Sequence, residues 1–198
     1  VAITSLASEE LNRGYTMIKP EDIRFKLAST QVEMMNVAAI RGICNLEEVG
    51  VPAEHEFDEN DNFAIHALGY VGDEPVSTVR LRFFGDFVKL ERACVRPKYR
   101  NRYILPKAIE MVGRFAGQKG YKRIVTHAKP STARLWRLLG FQIADKPAAE
   151  FAGHDHSYLE LHLDIPPRND AITLDTPSVV MFRQESSMDQ ANSYELAA

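Results

Sequence analysis

Residues 87–120, FVKLERACVRPKYRNRYILPKAIEMVGRFAGQKG, decide the fold because they combine a strand, a basic turn and a helix. The first part, 87–95, is rich in apolar and β-branched residues and is predicted to be a strand. Arg96-Pro97 ends that strand, since proline cannot donate to a ladder and biases the residue before it away from helix. Pro106 stands where a first helical position is expected, and apolar residues then recur at helical spacing until a glycine ends the helix.

A basic turn joins this strand to this helix, with Lys98, Arg100 and Arg102 inside it. In a strand–turn–helix connection, free backbone N–H groups and the helix N-terminus can hold a phosphate. An ordinary connection that carries solvated cations has the same composition. The turn by itself therefore leaves both interpretations open.

The composition of the 198-residue chain predicts a globular domain with a sizeable core. Hydrophobic residues make up 45% and charged residues 26%, and the net charge is −3. This balance gives no general attraction for nucleic acid, so no nucleic-acid partner is expected. No run approaches the roughly 20 apolar residues of a membrane span, and the N-terminus lacks the layout of a signal peptide. We expect a cytoplasmic protein, and Cys44 and Cys94 are expected to be reduced.

The order of the predicted elements indicates an α+β fold. A strand within 21–28 precedes a helix over 31–48, whose predicted apolar face includes Val32 and Met35. The strands at 87–95 and 123–128 are expected to be parallel because a helix connects them. The remaining predicted elements are strands at 63–71, 76–84, 141–143 and 158–163 and a short helix at 132–139.

Three regions are expected along the chain. Residues 1–20 form an N-terminal extension with a short helix near Ser8, residues 21–164 form the main domain, and residues 165–198 form a tail. Pro166-Pro167 ends the last strand. The run SVVMF at 178–182 is predicted to be an extra strand that docks on the domain or on a second subunit, which makes a homodimer one expected partner.

The segment VRPKYRNRYIL at 95–105 resembles the pyrophosphate-binding segment of the GNAT (general-control-related) N-acetyltransferase superfamily, usually V-x-P-x-Y-R-G-x-G-I-G. Family glycines let the backbone approach the phosphates closely. In this chain the three glycine positions hold Asn101, Tyr103 and Leu105. The matching residues are Val95, Pro97, Tyr99, Arg100 and Ile104.

Further segments carry the same resemblance, which covers about residues 21–164. The segment RGICNLEEVGVP at 41–52 is similar to R-x-x-V-F-V-x-E-Q-G-V-P of one bacterial subgroup, and EFDENDNFAIH at 56–66 is similar to E-F-D-x-x-D-x-x-A-x-H of that subgroup. The segment LWRLLGF at 135–141 is similar to F-Y-x-x-L-G-F, and Gly153 with His156 is similar to G-I-P-H.

The resemblance implies a mixed, mostly antiparallel sheet with two parallel central strands splayed at the donor site and helices on both faces. It implies an N-acyltransferase that moves an acyl group from acetyl-CoA or another acyl-CoA to a small-molecule amine by direct attack. The acidic segment at 56–61 also resembles acyl-homoserine-lactone synthases and N-acyl amino acid synthases, which take acyl chains from acyl carrier protein. A catalytically silent binding module of the same fold is the third alternative.

The resemblance also implies which residues contact the donor. Pantetheine is expected along the central strand, the phosphates at the basic turn, and the rest of the donor near the short helix that follows. The expected donor-binding residues are Ala93, Cys94, Val95, Arg100, Asn101, Arg102, Tyr103, Ile104, Leu105, Ser131 and Trp136.

The chemistry needs a proton acceptor for the amine and a proton donor for the leaving thiolate. Glu91 is the candidate base, with a structural salt bridge as the alternative. His66 and His156 match the subgroup and are candidate proton relays, with hydrogen-bonded structural histidines as the alternative.

The family's acidic tyrosine is replaced by Trp136, which either walls the acyl channel or belongs to the core. Tyr158 or Tyr103 is then the candidate acid, unless the thiolate leaves unprotonated. The pair His154 and His156 lacks a third ligand, so no metal is expected.

Overall fold

The computed structural model describes residues 18–150 and 157–184, and within them an eight-stranded mixed sheet carries helices on both faces. The strands are β1 (Ile23–Leu27), β2 (Ile65–Val71), β3 (Glu74–Phe83), β4 (Val88–Val95), β5 (Arg123–Ala128), β6 (Gln142–Ile143), β7 (Ala149–Glu150) and β8 (Ser157–Asp164). The helices are α1 (Gln31–Arg41), α2 (Ala53–Glu56), α3 (Ile104–Gln118), α4 (Ala133–Leu138) and α5 (Ser178–Met181).

The sheet has the strand order β1-β2-β3-β4-β5-β8-β6, and β7 pairs with β8 beside it. Strands β1 to β4 form an antiparallel meander. Strands β4 and β5 are parallel, and β8 runs antiparallel to both β5 and β6. The predicted α+β class and the predicted parallel central pair are therefore confirmed, whereas β7 was not predicted.

Successive side chains of a strand point to opposite faces of the sheet, so the core is divided into clusters on the two faces. On one face, Leu81 and Leu90 pack in a cluster with Phe115 of α3. On the other face, Leu68 packs in a cluster with Val37 of α1. The sheet is thus buried on both sides at its centre.

Helix α1 begins with a capping box at Thr30. The Thr30 side chain accepts from the Glu33 N–H at 3.2 Å, and the Glu33 carboxylate accepts from the Thr30 N–H at 3.1 Å. The α-helix ends at Arg41 and continues as a π-helical segment over Gly42–Glu47. The predicted helix at 31–48 is one element with a change of pitch, and π-helical turns of this kind are frequent at functional sites.

The predicted apolar face of this helix is wrong. Val32 is 67% exposed and Met35 is 64% exposed, while Val37, Ile40 and Arg41 are buried. A prediction from apolar spacing does not count an arginine among the buried positions. In the structure Arg41 is buried because it is paired with acidic residues, so the buried face of the helix includes Arg41 and is rotated away from the predicted face.

Helix α3 begins at Ile104, two residues before the predicted start. Pro106 therefore lies in the first turn, where a missing N–H breaks no helical hydrogen bond. The helix places Ala108, Val112 and Phe115 in the core beneath the sheet. The predicted strand–turn–helix unit is confirmed, with a shifted boundary.

The predicted strand at 178–182 is wrong, because Ser178–Met181 is a helical turn, α5. Its backbone bonds locally, with the Val180 N–H donating to Pro177 O at 2.9 Å, so it adds to no sheet edge. Upstream, the Ile172 N–H donates to Gln118 O of α3 at 2.7 Å. The tail therefore contacts its own chain, whereas the helix predicted near Ser8 lies outside the described residues.

The short helix predicted at 132–139 is α4, preceded by a 3-10 turn at Pro130–Thr132. No helix within 18–150 and 157–184 is long and apolar enough to cross a bilayer.

Candidate functional site

Strands β4 and β5 separate at the point where their parallel pairing ends. The last pair is Leu90 with Thr126, although β4 continues to Val95 and β5 to Ala128. Beyond that pair, β4 keeps its register with β3 on the other side. The backbone of 91–95 therefore faces β5 across a wedge-shaped gap in which no β5 residue is in register with it, although Cys94 O accepts from Ser77 Oγ and Val95 O from Arg100 Nε.

A β-bulge lies at the start of the gap. The register with β3 passes from Thr78 opposite Cys94 to Arg80 opposite Glu91, so β4 holds one more residue than β3 there. Within the bulge, Arg92 has a φ of 50°, in the left-handed region that non-glycine residues rarely adopt. Such conformations cost on the order of 1–3 kcal/mol and cluster at functional sites.

The basic turn follows β4, and its first arginine is paired within the chain. Arg100 forms a bidentate ion pair with Glu48, at 2.6 Å for Nη1–Oε1 and 2.5 Å for Nη2–Oε2. Its Nε also donates to Val95 O at 3.1 Å. The hydrogen bond from Arg100 lowers the pKa of Glu48, which is therefore ionised at neutral pH.

The second half of the turn is closed by Asn101. Its Oδ1 accepts from the N–H of Tyr103 at 2.8 Å and from that of Ile104 at 3.2 Å. Arg102 donates to the Tyr103 hydroxyl at 2.5 Å, and its guanidinium lies 4.8 Å from that ring's centroid. Leu105, the last expected phosphate contact, is half-buried in the first turn of α3.

A buried ionic network lies beside the gap on the α1 face. Arg41 and Arg80 are each 1% exposed. Arg41 pairs with Glu56 at 2.6 Å and with Asp61 at 2.8 Å, and Arg80 pairs with Asp61 at 2.8 Å and with Asp58 at 2.5 Å. Asp61 therefore joins both arginines, and the segments 41–52 and 56–66 that carry the sequence resemblance meet here.

Glu91 belongs to this network. Its carboxylate lies 2.7 Å from Arg80 Nη2 and 2.8 Å from Lys89 Nζ. Burial alone would raise the pKa of Glu91, but the hydrogen bond from Lys89 and the charges of Lys89 and Arg80 outweigh it and lower the pKa. The salt bridge that the sequence left as an alternative is thus present, and the carboxylate is ionised at neutral pH.

His66 lies away from the gap. It is 2% exposed on β2, two strands from β4, which corresponds to roughly 10 Å across a sheet. Its Nε2 lies 3.7 Å from Asp61 Oδ1. Burial lowers the pKa of His66, so the ring is neutral at pH 7.

Tyr158 is half-buried on β8, next to β5. Burial raises the pKa of its phenol, and the positive charge of Arg92 acts in the opposite direction. The phenol is therefore protonated at neutral pH and within electrostatic range of the bulge. His156 lies outside the described residues.

The predicted donor-strand residues differ in exposure, with Ala93 and Val95 half-buried and Cys94 buried. Cys94 Sγ lies 3.3 Å from Asn45 Nδ2. A hydrogen bond between the two thiols lowers the pKa of Cys44 and raises that of Cys94 well above its usual range. Cys94 is thus a protonated, poorly nucleophilic thiol, and both cysteines are free, as expected.

Trp136 and Ser131 occupy different environments. Trp136 is 9% exposed and packs edge-on against Phe141, with ring centroids 5.2 Å apart, inside the main core. This is the core position that the sequence left open. Ser131 is exposed in the turn after β5.

Two other features lie outside this region. A surface pocket of about 370 Å³, lined by Arg123 and Asp164 among others, sits at the opposite end of β5 from the gap. Within the described ranges, no group of three or more His, Cys, Asp or Glu side chains is arranged to hold a metal ion.

The sequence analysis missed Arg80 and Arg92. Arg80 lies among alternating apolar and polar residues, a pattern that predicts a solvated arginine. Position 92 is an arginine and not a glycine or asparagine, the residue types that would have indicated a positive φ. The signal available for Arg80 was the acidic segment 56–61, whose carboxylates require buried cations if they are to be buried themselves.

No protein-family model matches the chain. YyaT of Bacillus subtilis (strain 168), an uncharacterized protein, is 31% identical over 132 residues, which are 65% of this chain and 88% of YyaT. YjcF of the same strain, described as an uncharacterized N-acetyltransferase, is 27% identical over 133 residues, which are 66% of this chain and 93% of YjcF.

Solved structures share the fold. A GNAT family acetyltransferase from Elizabethkingia anophelis with acetyl-CoA bound matches with a TM-score of 0.59 and 15% identity, covering 73% of this chain and 99% of that one. FeeM, an N-acyl amino acid synthase from uncultured soil microbes, matches with a TM-score of 0.60 and 11% identity, covering 73% of this chain and 92% of that one.

Proposed function

Since this chain belongs to the GNAT superfamily of N-acetyltransferases, we propose that it transfers an acyl group from an acyl-CoA to the amine of a small molecule. The observation that carries the proposal is the gap between β4 and β5 beyond the pair Leu90–Thr126. Beyond that pair no β5 residue is in register with 91–95, so this stretch of β4 can bond an extended ligand with amide groups, while Val95 O already accepts from Arg100 Nε.

The donor is proposed to lie with its pantetheine arm along Ala93, Cys94 and Val95. Pantetheine carries two amides, and these can continue the β4 ladder where β5 has departed. The diphosphate then falls toward the basic turn, which carries Arg102 and also Arg100, whose guanidinium is already paired with Glu48. The thioester would lie toward the bulge at Arg92.

The reaction is proposed to be direct attack of the amine on the thioester carbonyl. Negative charge develops on the carbonyl oxygen, and a backbone N–H on the β5 side of the bulge is the proposed donor to it. The strained Arg92 conformation supports this role because it redirects the backbone at that point.

Two side chains are proposed to move protons. Glu91 is the proposed acceptor for the ammonium proton, because it is ionised and follows the last parallel pair directly. Its lowered pKa makes it a weak base, so we expect it to act on the amine through water. Tyr158 is the proposed donor to the leaving thiolate, because it lies on β8 beside β5 and its phenol is protonated at neutral pH.

The histidines take lesser roles in this proposal. His66 lies two strands from β4, too far for direct proton transfer to the gap. His156 stays a predicted relay. No step in this proposal requires a metal ion.

A transfer assay tests the proposal. The wild-type protein is incubated with acetyl-CoA and a panel of small amines, and released CoA thiol is measured together with the mass of the product. Tyr158→Phe is expected to lower turnover about 100-fold and Glu91→Gln by about 10²–10⁴-fold, both with little change in donor binding. Tyr121→Phe is the control, because Tyr121 packs against Phe83 in the core.

Three outcomes contradict parts of the proposal. Equal turnover in Glu91→Gln and wild type assigns Glu91 to the salt bridge alone. Donor binding without transfer to any amine favours the silent module. Transfer from acyl carrier protein with none from acyl-CoA favours the synthase alternative.

A further inference from the structure

The turn that faces the proposed diphosphate position is already hydrogen-bonded within the chain. Asn101 Oδ1 accepts from the backbone N–H groups of Tyr103 and Ile104, at 2.8 and 3.2 Å. These are two of the N–H groups at the start of α3 that a bound anion would use, and Leu105 supplies a third. The third helical residue, Pro106, has no N–H to add.

The charge beside this turn is also paired. Arg100 donates through both Nη atoms to the Glu48 carboxylate, at 2.6 and 2.5 Å. Glu48 follows directly after the π-helical segment Gly42–Glu47, so a different element of the fold supplies this carboxylate. A phosphate approaching Arg100 must replace or repel an ionised carboxylate.

The pantetheine part of the gap differs. On the β5 side of 91–95, the ladder has ended and no β5 residue is in register. A ligand bonding there competes with no β5 strand and meets the contacts of Val95 O with Arg100 Nε and of Cys94 O with Ser77 Oγ, whereas a diphosphate at the turn must displace Asn101 from two N–H groups and Glu48 from Arg100. The net gain from the diphosphate is reduced by the contacts that it replaces.

We propose that Asn101 and Glu48 are specificity-determining residues that make this chain recognise its donor mainly through the pantetheine arm and only weakly through the diphosphate. The inference rests on the proposed function, since it assumes that the gap holds a pantetheine donor. Its consequence is that pantetheine, which lacks both phosphates of the diphosphate and the nucleoside, binds nearly as well as CoA.

Calorimetric titration of the full chain with CoA and with pantetheine measures this directly. The two dissociation constants are expected to lie within about threefold in the wild type. Asn101→Gly frees both N–H groups and is expected to raise the preference for CoA about tenfold, or about 1.4 kcal/mol. Asn101→Asp keeps an acceptor for both N–H groups and adds a negative charge, so it is expected to lower that preference.

A second pair of variants tests the charge. Glu48→Gln removes the anion that neutralises Arg100 and is expected to raise the preference for CoA about threefold. Glu47→Gln, its exposed neighbour, is the matched control and is expected to change nothing. Thermal melting of each variant shows that the fold is intact.

The binding measurements distinguish a failure of this inference from a failure of the proposed function. If wild type binds CoA more than about 100-fold tighter than pantetheine, or if the preference is unchanged in both Asn101→Gly and Glu48→Gln, this inference is overturned. If both compounds bind in the expected ratio but no amine is acylated, the proposed function fails and the selectivity stands. If neither compound binds, both are wrong.

Discussion

Arg80 of β3 and Glu91 of β4 face each other across the two strands, with Arg80 Nη2 2.7 Å from Glu91 Oε2. Arg80 also pairs with Asp58 and Asp61 of the acidic segment. One fully buried guanidinium thus connects the segment after α2 to the strand that borders the gap. Buried charges persist only when paired, so this arginine holds the three carboxylates in place.

Loss of the Arg80 charge is expected to leave these carboxylates without their main partner. Arg80→Met should lower the free energy of unfolding by about 3–5 kcal/mol, as for a broken buried ion pair. Arg82→Met is the control on the same strand, because Arg82 is 29% exposed and lies 3.7 Å from Glu91. That change should stay within about 0.5 kcal/mol. Urea denaturation of both variants measures the difference, and equal losses would contradict the structural role of Arg80.

The pH dependence of stability should depend on Asp58. Burial would raise the pKa of Asp58, but hydrogen bonds from Arg80 and Asn60 outweigh it and lower the pKa from 3.8 to about 2. A carboxyl group with a lowered folded pKa stabilises the protein above its unfolded pKa, and that contribution is lost as pH falls toward the folded pKa. The loss should therefore occur between about pH 4 and pH 2, and amount to on the order of 2 kcal/mol.

Asp58→Asn should remove this contribution at neutral pH and flatten the stability profile between about pH 4 and pH 2. Urea midpoints measured from pH 2 to pH 7 follow the change. Asp73→Asn is the control, because Asp73 lies in the exposed turn between β2 and β3 and its nearest cation, Arg24, is 3.5 Å away. A profile as steep in Asp58→Asn as in wild type would show that other groups dominate the acid transition.

The tail should contribute to stability through Val180. This side chain is 3% exposed, whereas its neighbour Val179 is 53% exposed. Val180→Ala should cost about 1–2 kcal/mol from lost burial, and Val179→Ala less than about 0.5 kcal/mol. Thermal denaturation compares the two. A loss of the same size in both variants would mean that the docked tail contributes nothing specific.

Gly69 should tolerate no side chain, because Phe25 lies across it. The two residues are register partners on β1 and β2, and a Cβ on Gly69 would lie 2.5 Å from the Phe25 ring. Gly69→Ala should therefore destabilise the protein by about 1–3 kcal/mol through overpacking. Gly113→Ala in α3 meets nothing within 4 Å and should stabilise by about 0.5–1 kcal/mol. The two substitutions are expected to shift the unfolding midpoint in opposite directions relative to wild type.

The strand–turn–helix unit, the meander and the parallel pair were all predictable from local patterns. These elements depend on the proline after β4, the glycines at the turns and the helical apolar spacing in α3. Each of these signals acts over a few residues, so the elements can be predicted from the sequence alone. The tail was not predictable in the same way. The run at 178–182 has strand composition, yet a strand requires a partner edge, and the chain turns into α5 beside its own Pro177 instead.

In the candidate site, too, local features were predictable from the sequence and contacts between distant segments were not. The sequence by itself, through its resemblance to the GNAT superfamily, predicted donor contacts within 91–105 and showed an acidic segment at 56–61, because residue types and spacing are local properties. Only the tertiary structure decided that Glu91 is an ion-paired carboxylate, that Glu48 neutralises Arg100 and that Asn101 closes the basic turn. These depend on which groups meet across the fold and how far water is excluded, and pairing and burial of charge arise only when distant segments pack together.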